Sequence, residues 1–169
     1  MAEAVDARLA SAAAEQVRRL RADLASVGLP VPESEPSVRF ALANAIPKAV
    51  REQLTEDLRL LVLPEVWLAT LGSALTSEPA LVLAAVPDAE LLAAHNRVHD
   101  ALAGRVRGAA ARHLPGQWVP HCPLSRELTR TQLGRAMSAL GVVKPLRAKV
   151  TAVGITDTRT GTFTPLRGP

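Results

Sequence analysis

The stretch WVPHCPL, residues 118–124, is the part of the sequence that decides the fold. Apolar residues surround one histidine, which is typical of a strand that is buried on one face. Side chains alternate along a strand, so Cys122 and Leu124 are predicted to point into a core. His121 and Pro123 then lie on the opposite face. His121 is therefore a candidate acid or base, because the pKa of a free histidine lies near neutrality. A structural hydrogen bond of a partly buried ring is the alternative.

The composition predicts one soluble, cytoplasmic domain over residues 1–169 with no membrane partner. No apolar run reaches the roughly 18 residues that a membrane-spanning helix needs. The amino-terminal sequence MAEAVD lacks the basic-then-apolar order of a signal peptide. The single Cys122 excludes an internal disulfide and a cysteine-based zinc site. No metal or other cofactor is predicted.

The charge pattern favours contacts with anions without indicating a nucleic-acid coat. The net charge is +4, and arginine, which forms two-pronged contacts with phosphate or carboxylate, greatly outnumbers lysine. Acidic residues are interspersed, whereas a nucleic-acid-coating protein usually carries a denser basic stripe. With no tyrosine, two tryptophans and two phenylalanines, an extensive base-stacking platform is excluded.

Hydrophobic periodicity predicts an α+β order of elements. Strands are expected at residues 4–9, 38–43, 65–71, 80–86, 118–124, 147–155 and 162–166, and helices at 11–27, from 47 onward, at 89–103 and at 129–140. Two parts of the chain, 38–86 and 118–166, share one order: a strand, a helix and two further strands. A loop over residues 104–117 separates them.

The stretch around His121 resembles the second signature of the two-histidine phosphoesterases, the superfamily of 2'-5' RNA ligases and cyclic phosphodiesterases. That signature is His-x-Thr/Ser-x, it occurs twice in a chain, and a proline often precedes it. Pro123 stands here at the hydroxyl position. The first signature aligns best with VRFALA, residues 38–43, where Arg39 replaces the histidine and Ala41 the hydroxyl residue. The chain therefore keeps His121 alone of the signature residues.

The resemblance implies a bilobal, pseudo-symmetric pair of antiparallel sheets with outer helices around a central cleft. The lobes would be approximately residues 38–86 and 118–166. Arg39 and His121 are expected on different strands that face this cleft, with Phe40 and Leu42 turned into the core. In the family, the two histidines act as general base and general acid on a phosphodiester, and the two hydroxyls hold its oxygens.

The replaced residues predict that this phosphodiesterase activity is lost. Arg39 cannot transfer protons because a guanidinium stays protonated, but it can hold a phosphate or carboxylate. Loss of one acid–base partner removes about 10²–10⁴-fold of rate. We therefore expect a pseudoenzyme that binds an anionic or polar ligand in the cleft, either a small molecule or a nucleotide-like compound. RNA is a further partner class that the resemblance allows.

Two alternatives keep catalysis in the same cleft. His121 could serve as an acid or base on a small-molecule substrate in a repurposed enzyme, or the chain could be a phosphodiesterase of altered mechanism. The expected ligand-binding residues are Arg39, Trp118 and Arg126. Trp118 has two readings, as a wall of the ligand site or as a partly buried core residue.

Two further motifs are candidates. His95 and His99 are four residues apart on one helix, a zinc-binding spacing, but Asn96 stands where a metalloprotease has glutamate and no third ligand is evident. The alternative places both histidines at the solvent border of an amphipathic helix. The loop over residues 104–117 could be a basic lip of the cleft or simply a solvated loop, and it carries Arg105, Arg107, Arg112 and His113.

Overall fold

The computed structural model describes residues 2–74 and 79–168, which form an α+β protein of four helices and an antiparallel sheet of seven strands. The strands are β1 (Glu3–Leu9), β2 (Ser37–Ala43), β3 (Glu65–Ala74), β4 (Ala80–Ala85), β5 (His121–Pro123), β6 (Leu146–Asp157) and β7 (Phe163–Arg167). The helices are α1 (Ser11–Ser26), α2 (Lys48–Arg59), α3 (Ala89–Leu102) and α4 (Arg130–Leu140). The predicted α+β class and order of elements are confirmed. The predicted connection from β3 to β4 includes residues 75–78, which lie outside the described residues.

The long strand β6 joins two groups of strands. Its second part pairs with β1 and β7, whereas Leu146–Lys149 pairs with β3. The strand order is β2-β1-β6-β3-β4-β5, with β7 paired to β6 off this path. The strands β2 and β5 therefore lie at opposite ends of the order. The two strands nevertheless contact each other. Trp118, which lies just before β5, also donates its indole N–H to the backbone oxygen of Arg39 in β2 at 2.9 Å.

The four helices pack against the sheet, and two of them begin at side-chain caps. Buried side chains of all four helices join those of the strands in one hydrophobic cluster. The helix α3 begins at Asp88, whose carboxylate accepts from the backbone N–H of Leu91, as predicted. The helix α4 begins with a reciprocal cap between Thr129 and Gln132. Among the described helices, none combines the length and apolar character that crossing a bilayer requires.

A bulge in β2 changes which residues share the face of Arg39. Asp6 pairs with Arg39 and the preceding Val5 pairs with Ala41, so Phe40 is an extra residue on β2. Phe40 and Ala41 are both buried, and Leu42 is only partly buried. The prediction that Leu42 shares the core face of Phe40 is wrong, because the bulge shifts the alternation after Arg39.

The strand β5 is shorter than the predicted 118–124 and spans only His121–Pro123. Prolines at positions 120 and 123 have no N–H to donate, which limits the ladder. The strand lies at the end of the sheet order, as expected for a strand that contains Pro123. Cys122 and Leu124 are fully buried, and His121 and Pro123 are half-buried, so the predicted alternation is confirmed here.

Candidate functional site

Asp6 and Arg39 are paired residues of the β1–β2 ladder and form a two-pronged ion pair. Nε of Arg39 lies 2.9 Å from Oδ1 of Asp6, and Nη2 lies 3.1 Å from Oδ2. Asp6 is 3% exposed, so its carboxylate depends on this partner. The pair fixes the guanidinium of Arg39 and offsets its charge. The only sequence signal for Asp6 is an acidic residue between apolar neighbours in the predicted strand 4–9.

His121 presents one ring nitrogen from β5. Its Nδ1 lies 2.8 Å from the carbonyl oxygen of Val119, and a carbonyl only accepts, so Nδ1 carries the hydrogen. The neutral ring then has its lone pair on Nε2. Burial lowers the pKa of His121, and the positive charges of Arg126, Arg39 and Arg112 lower it further, while the hydrogen bond to Val119 opposes them. His121 is therefore a neutral proton acceptor at physiological pH.

The strand β2 contacts both β5 and the short 3-10 turn Ala111–His113, and charged or titratable groups on and beside these elements act electrostatically on one another. We call this set the His121 cluster: Asp6, Arg39, Arg112, His113, His121 and Arg126. Arg126 follows β5 and is exposed; desolvation of its guanidinium and then the charge of Arg39 lower its pKa. The predicted site residues Arg39, His121 and Arg126 are thus brought together. Of the four residues singled out in the loop over 104–117, the structure brings Arg112 and His113 to the cluster.

His113 is the buried member of the cluster. It lies on a short 3-10 turn, Ala111–His113, and is 4% exposed. Burial, followed by the charges of Arg112, Arg39 and His121, lowers its pKa to about 4. Its Nδ1 has no hydrogen-bond partner in the described parts of the chain. The cluster therefore contains a neutral, unsatisfied polar atom next to its arginines.

Backbone contacts hold the arginine-bearing loop against the end of β2. The N–H of Asn44 donates to the carbonyl of Arg107 at 3.0 Å, and the N–H of Ala110 donates to that of Leu42 at 2.9 Å. Gly108, at φ +65°, lies between these contacts, and a Cβ there would come within 2.5 Å of the Asn44 side chain. Glycine is required at this turn for both reasons. The docking places His113 beside β2.

Trp118 and His95 contact the backbone of two members of the cluster. Their rings stack with centroids 3.8 Å apart, and Trp118 is 9% exposed. Nε2 of His95 donates to the carbonyl of His113 at 2.8 Å. Trp118 also donates to the backbone of Arg39, as described above. Trp118 is thus largely buried, and its contacts reach the backbone of Arg39 and the ring of His95.

The predicted placement of His95 and His99 at a solvent border is wrong for His95. His95 is 1% exposed, and burial together with the neighbouring His99 lowers its pKa to about 4. His99 is half-buried, and its Nε2 donates to the carbonyl of Phe40 at 3.0 Å. Both rings are used as hydrogen-bond donors to the backbone. Among the described residues, no group of three potential ligands could hold a metal.

Arg21 fixes the strand that carries His121. Its Nη2 donates to the carbonyl of Pro123 at 2.8 Å, and its Nη1 donates to that of Ser34. Burial lowers its pKa, and burial raises the pKa of the neighbouring Cys122 thiol to about 11. Cys122 is therefore a poor nucleophile, since the thiolate is the reactive form.

Two arginine–aromatic pairs join different strands of the sheet. The guanidinium of Arg8 lies 3.7 Å from the ring centroid of Phe163, and that of Arg147 lies 4.6 Å from the centroid of Trp67. The ring of Phe163 covers Gly154, where a Cβ would come within 2.6 Å of it. Gly154 pairs with Asp6 in the ladder, so Phe163 shares the face of the Asp6–Arg39 pair.

Two surface cavities lie away from His121. One, of about 280 Å³, lies between α1 and the connector that follows it, with Arg18 and Glu35 in its lining. The other, of about 330 Å³, lies between β2, α3 and the arginine-bearing loop, with Leu42 and His99 in its lining. Neither of these two cavities is lined by a residue of the His121 cluster.

Neither a protein-family model nor a curated protein matches this chain. The described residues define it as an α+β protein with a seven-stranded antiparallel sheet.

Proposed function

We propose that this chain is a divergent protein of the two-histidine phosphoesterase type that binds an anionic or polar ligand at the His121 cluster. The observation that carries the proposal is the approach of β2 to β5, the strands of Arg39 and His121, with the charges of Arg39, Arg112 and Arg126 acting on His121. Asp6, the carboxylate of the cluster, is committed to Arg39. The cluster therefore offers positive charge and hydrogen-bond donors to an incoming anion.

The order of the strands supports the bilobal part of the proposal. The edge strands β2 and β5 carry the two positions that align with the family signatures, Arg39 and His121. They approach each other although they stand at opposite ends of the sheet order. The strand β6 is shared by both strand groups, as two fused sheets around a cleft would require.

The same residues argue against conventional phosphodiesterase chemistry. Position 39 holds a guanidinium that cannot exchange protons, and its Nε and Nη2 are already used by Asp6. Pro123 has no hydroxyl, and Ala41 is buried by the bulge in β2. Neither can hold a phosphate oxygen. The proposed function is accordingly binding, with a small-molecule or nucleotide-like ligand.

Calorimetric titration with adenosine monophosphate tests the proposal. Arg126→Gln is expected to weaken binding about tenfold or more, since a hydrogen bond to a charged group contributes about 1.5–3 kcal/mol. Arg130→Gln is the matched control, because Arg130 is also exposed but lies on α4, outside the His121 cluster. No binding by the folded protein, or equal losses in both variants, would contradict the proposal.

A repurposed enzyme is the second candidate, and the free Nε2 of His121 favours it. A neutral imidazole with one nitrogen fixed by Val119 is oriented for proton transfer by the other. If the role is binding, His121→Gln should weaken affinity by a net hydrogen bond of about 0.5–1.5 kcal/mol. If the cluster catalyses a reaction, His121→Gln should abolish turnover and leave affinity nearly unchanged. In a phosphodiesterase of altered mechanism, His121→Gln should likewise abolish turnover, with a phosphodiester as the substrate.

A further inference from the structure

The uncompensated charge of the His121 cluster comes from two arginines. Asp6 pairs with Arg39 at 2.9 Å, whereas Arg112 and Arg126 form no ion pair within residues 2–74 and 79–168. Glu127 is the other carboxylate that acts on Arg126, and its effect is smaller than that of Asp6. The cluster therefore carries a net charge of about two positive units when both histidines are neutral.

Each histidine of the cluster has one ring nitrogen without a hydrogen-bond partner among the described residues, and that of His121 lies on an accessible ring. Nε2 of His121 has no partner in the described parts of the chain, and the ring is half-exposed. Nδ1 of His113 is buried and likewise unpartnered. A buried polar atom without a partner is costly, so the cluster keeps an unsatisfied polar atom beside its charged groups.

We propose that the His121 cluster selects a compact dianion, such as an exposed phosphomonoester group, over a phosphodiester, and that His121 takes up a proton when the dianion binds. The inference rests on the proposed anion site and names its ligand class. A phosphomonoester carries up to two negative charges near neutral pH and three acceptor oxygens, whereas a phosphodiester carries one charge. The dianion matches the charge that Arg112 and Arg126 leave uncompensated.

The proton uptake follows from the groups that face His121 on every side. Arg39 faces it from β2, Arg112 and His113 from the 3-10 turn, and Arg126 from the segment after β5. Its ladder neighbour on β4 is Ala84, which does not titrate. A dianion between the arginines removes their repulsion and attracts an imidazolium. The proton comes from solvent to Nε2, which then donates a hydrogen bond to an oxygen of the anion.

The first test compares two anions of similar size by calorimetry: sulfate, a dianion that does not titrate near neutral pH, and dimethyl phosphate, a monoanionic diester. Sulfate is expected to bind about tenfold tighter or more, the effect of one further charge-assisted hydrogen bond. Arg126→Gln should remove most of this difference, while Arg130→Gln should retain it. Equal affinities in the unmodified protein would overturn the inference.

The second test measures protons taken up with sulfate, using two buffers of different ionisation enthalpy at about pH 6.5. Uptake is expected in the unmodified protein and absent in His121→Gln. In case that variant does not fold, an NMR titration of the unmodified protein should show the pKa of His121 rising with sulfate. No uptake, or an unchanged pKa, would overturn the inference.

The outcomes separate this inference from the proposed function. If the folded protein binds neither sulfate nor dimethyl phosphate nor adenosine monophosphate, both fail. If sulfate and dimethyl phosphate bind alike and both depend on Arg126, the anion site stands and its preference for a dianion is wrong.

Discussion

The carboxylate of Asp6 and the guanidinium of Arg39 meet through two hydrogen bonds, at 2.9 and 3.1 Å, across adjacent edges of β1 and β2. The side chain of Asp6 is 5% exposed and that of Arg39 is 25% exposed. The pair thus joins a buried carboxylate to a partly exposed guanidinium. Position 39 therefore holds a guanidinium whose orientation is fixed by Asp6.

Breaking this pair is expected to destabilise the fold strongly. Arg39→Met leaves the buried carboxylate of Asp6 unpaired and should lower the free energy of unfolding by about 3–5 kcal/mol. Asp6→Leu should cost less, because the guanidinium that it leaves unpaired is one-quarter exposed. The double variant should lose much less than the sum of the two, because no charge is stranded. Urea denaturation measures all three. Glu52→Gln, which breaks the exposed Lys48–Glu52 pair at 3.8 Å, is the control and should cost about 1 kcal/mol or less. Additive losses in the double variant would show that the pair is not coupled.

Hydrolysis of 2',3'-cyclic nucleotides and 2'-5' ligation are expected to be negligible. The signature positions 39, 41 and 123 lack the groups that those reactions need. A turnover of about 1 s⁻¹ or more, an ordinary enzymatic rate, would contradict the expectation if it disappears in His121→Ala. A rate that survives this substitution would instead indicate a contaminating enzyme.

Stability is expected to fall as the pH drops below neutrality, because His95 and His113 are neutral in the fold. Their pKa values are about 4 in the folded protein, against about 6.5 in an unfolded chain. Between these values the unfolded state binds more protons, so the stabilisation is complete above about pH 6.5 and is lost as the pH falls toward about 4. From about pH 6.5 to 5, each histidine should cost about 2 kcal/mol. Urea denaturation at several pH values tests this, and His113→Gln should show a smaller slope.

Much of the fold could be predicted because each element carries its own local signal. Helical spacing in α1 and α4, the cap at Asp88 and the apolar run around Cys122 all depend on neighbouring residues. The bulge at Phe40 could not be predicted, because it depends on the register between β1 and β2. It changes the neighbours of Arg39 without any turn residue to mark it.

The site was predictable only in part for the same reason. The signature strands predict Arg39 and His121, and Arg126 is an expected ligand-binding residue, whereas Arg112 and His113 are only candidates from the composition of their loop. Their convergence with Asp6 depends on how that loop docks on β2, through contacts between residues more than 60 positions apart, such as Asn44 and Arg107. His95 was misplaced because an amphipathic pattern does not reveal that a border position stacks on Trp118.

Trp118 is expected to support the cluster without touching the ligand. Trp118→Phe keeps a ring against His95 but leaves the carbonyl of Arg39 without its donor, which should cost about 1–3 kcal/mol of stability. Affinity for sulfate should change less than in Arg126→Gln. A large loss of affinity with unchanged stability would instead place Trp118 in contact with the ligand.

The central claim is that the His121 cluster binds an anion, and a crystal structure of the protein with inorganic phosphate tests it most directly. The account predicts electron density for phosphate within hydrogen-bond distance of Nε2 of His121 and of the guanidinium of Arg126. Density in the cavity beside Leu42 and His99, with none at His121, would contradict it.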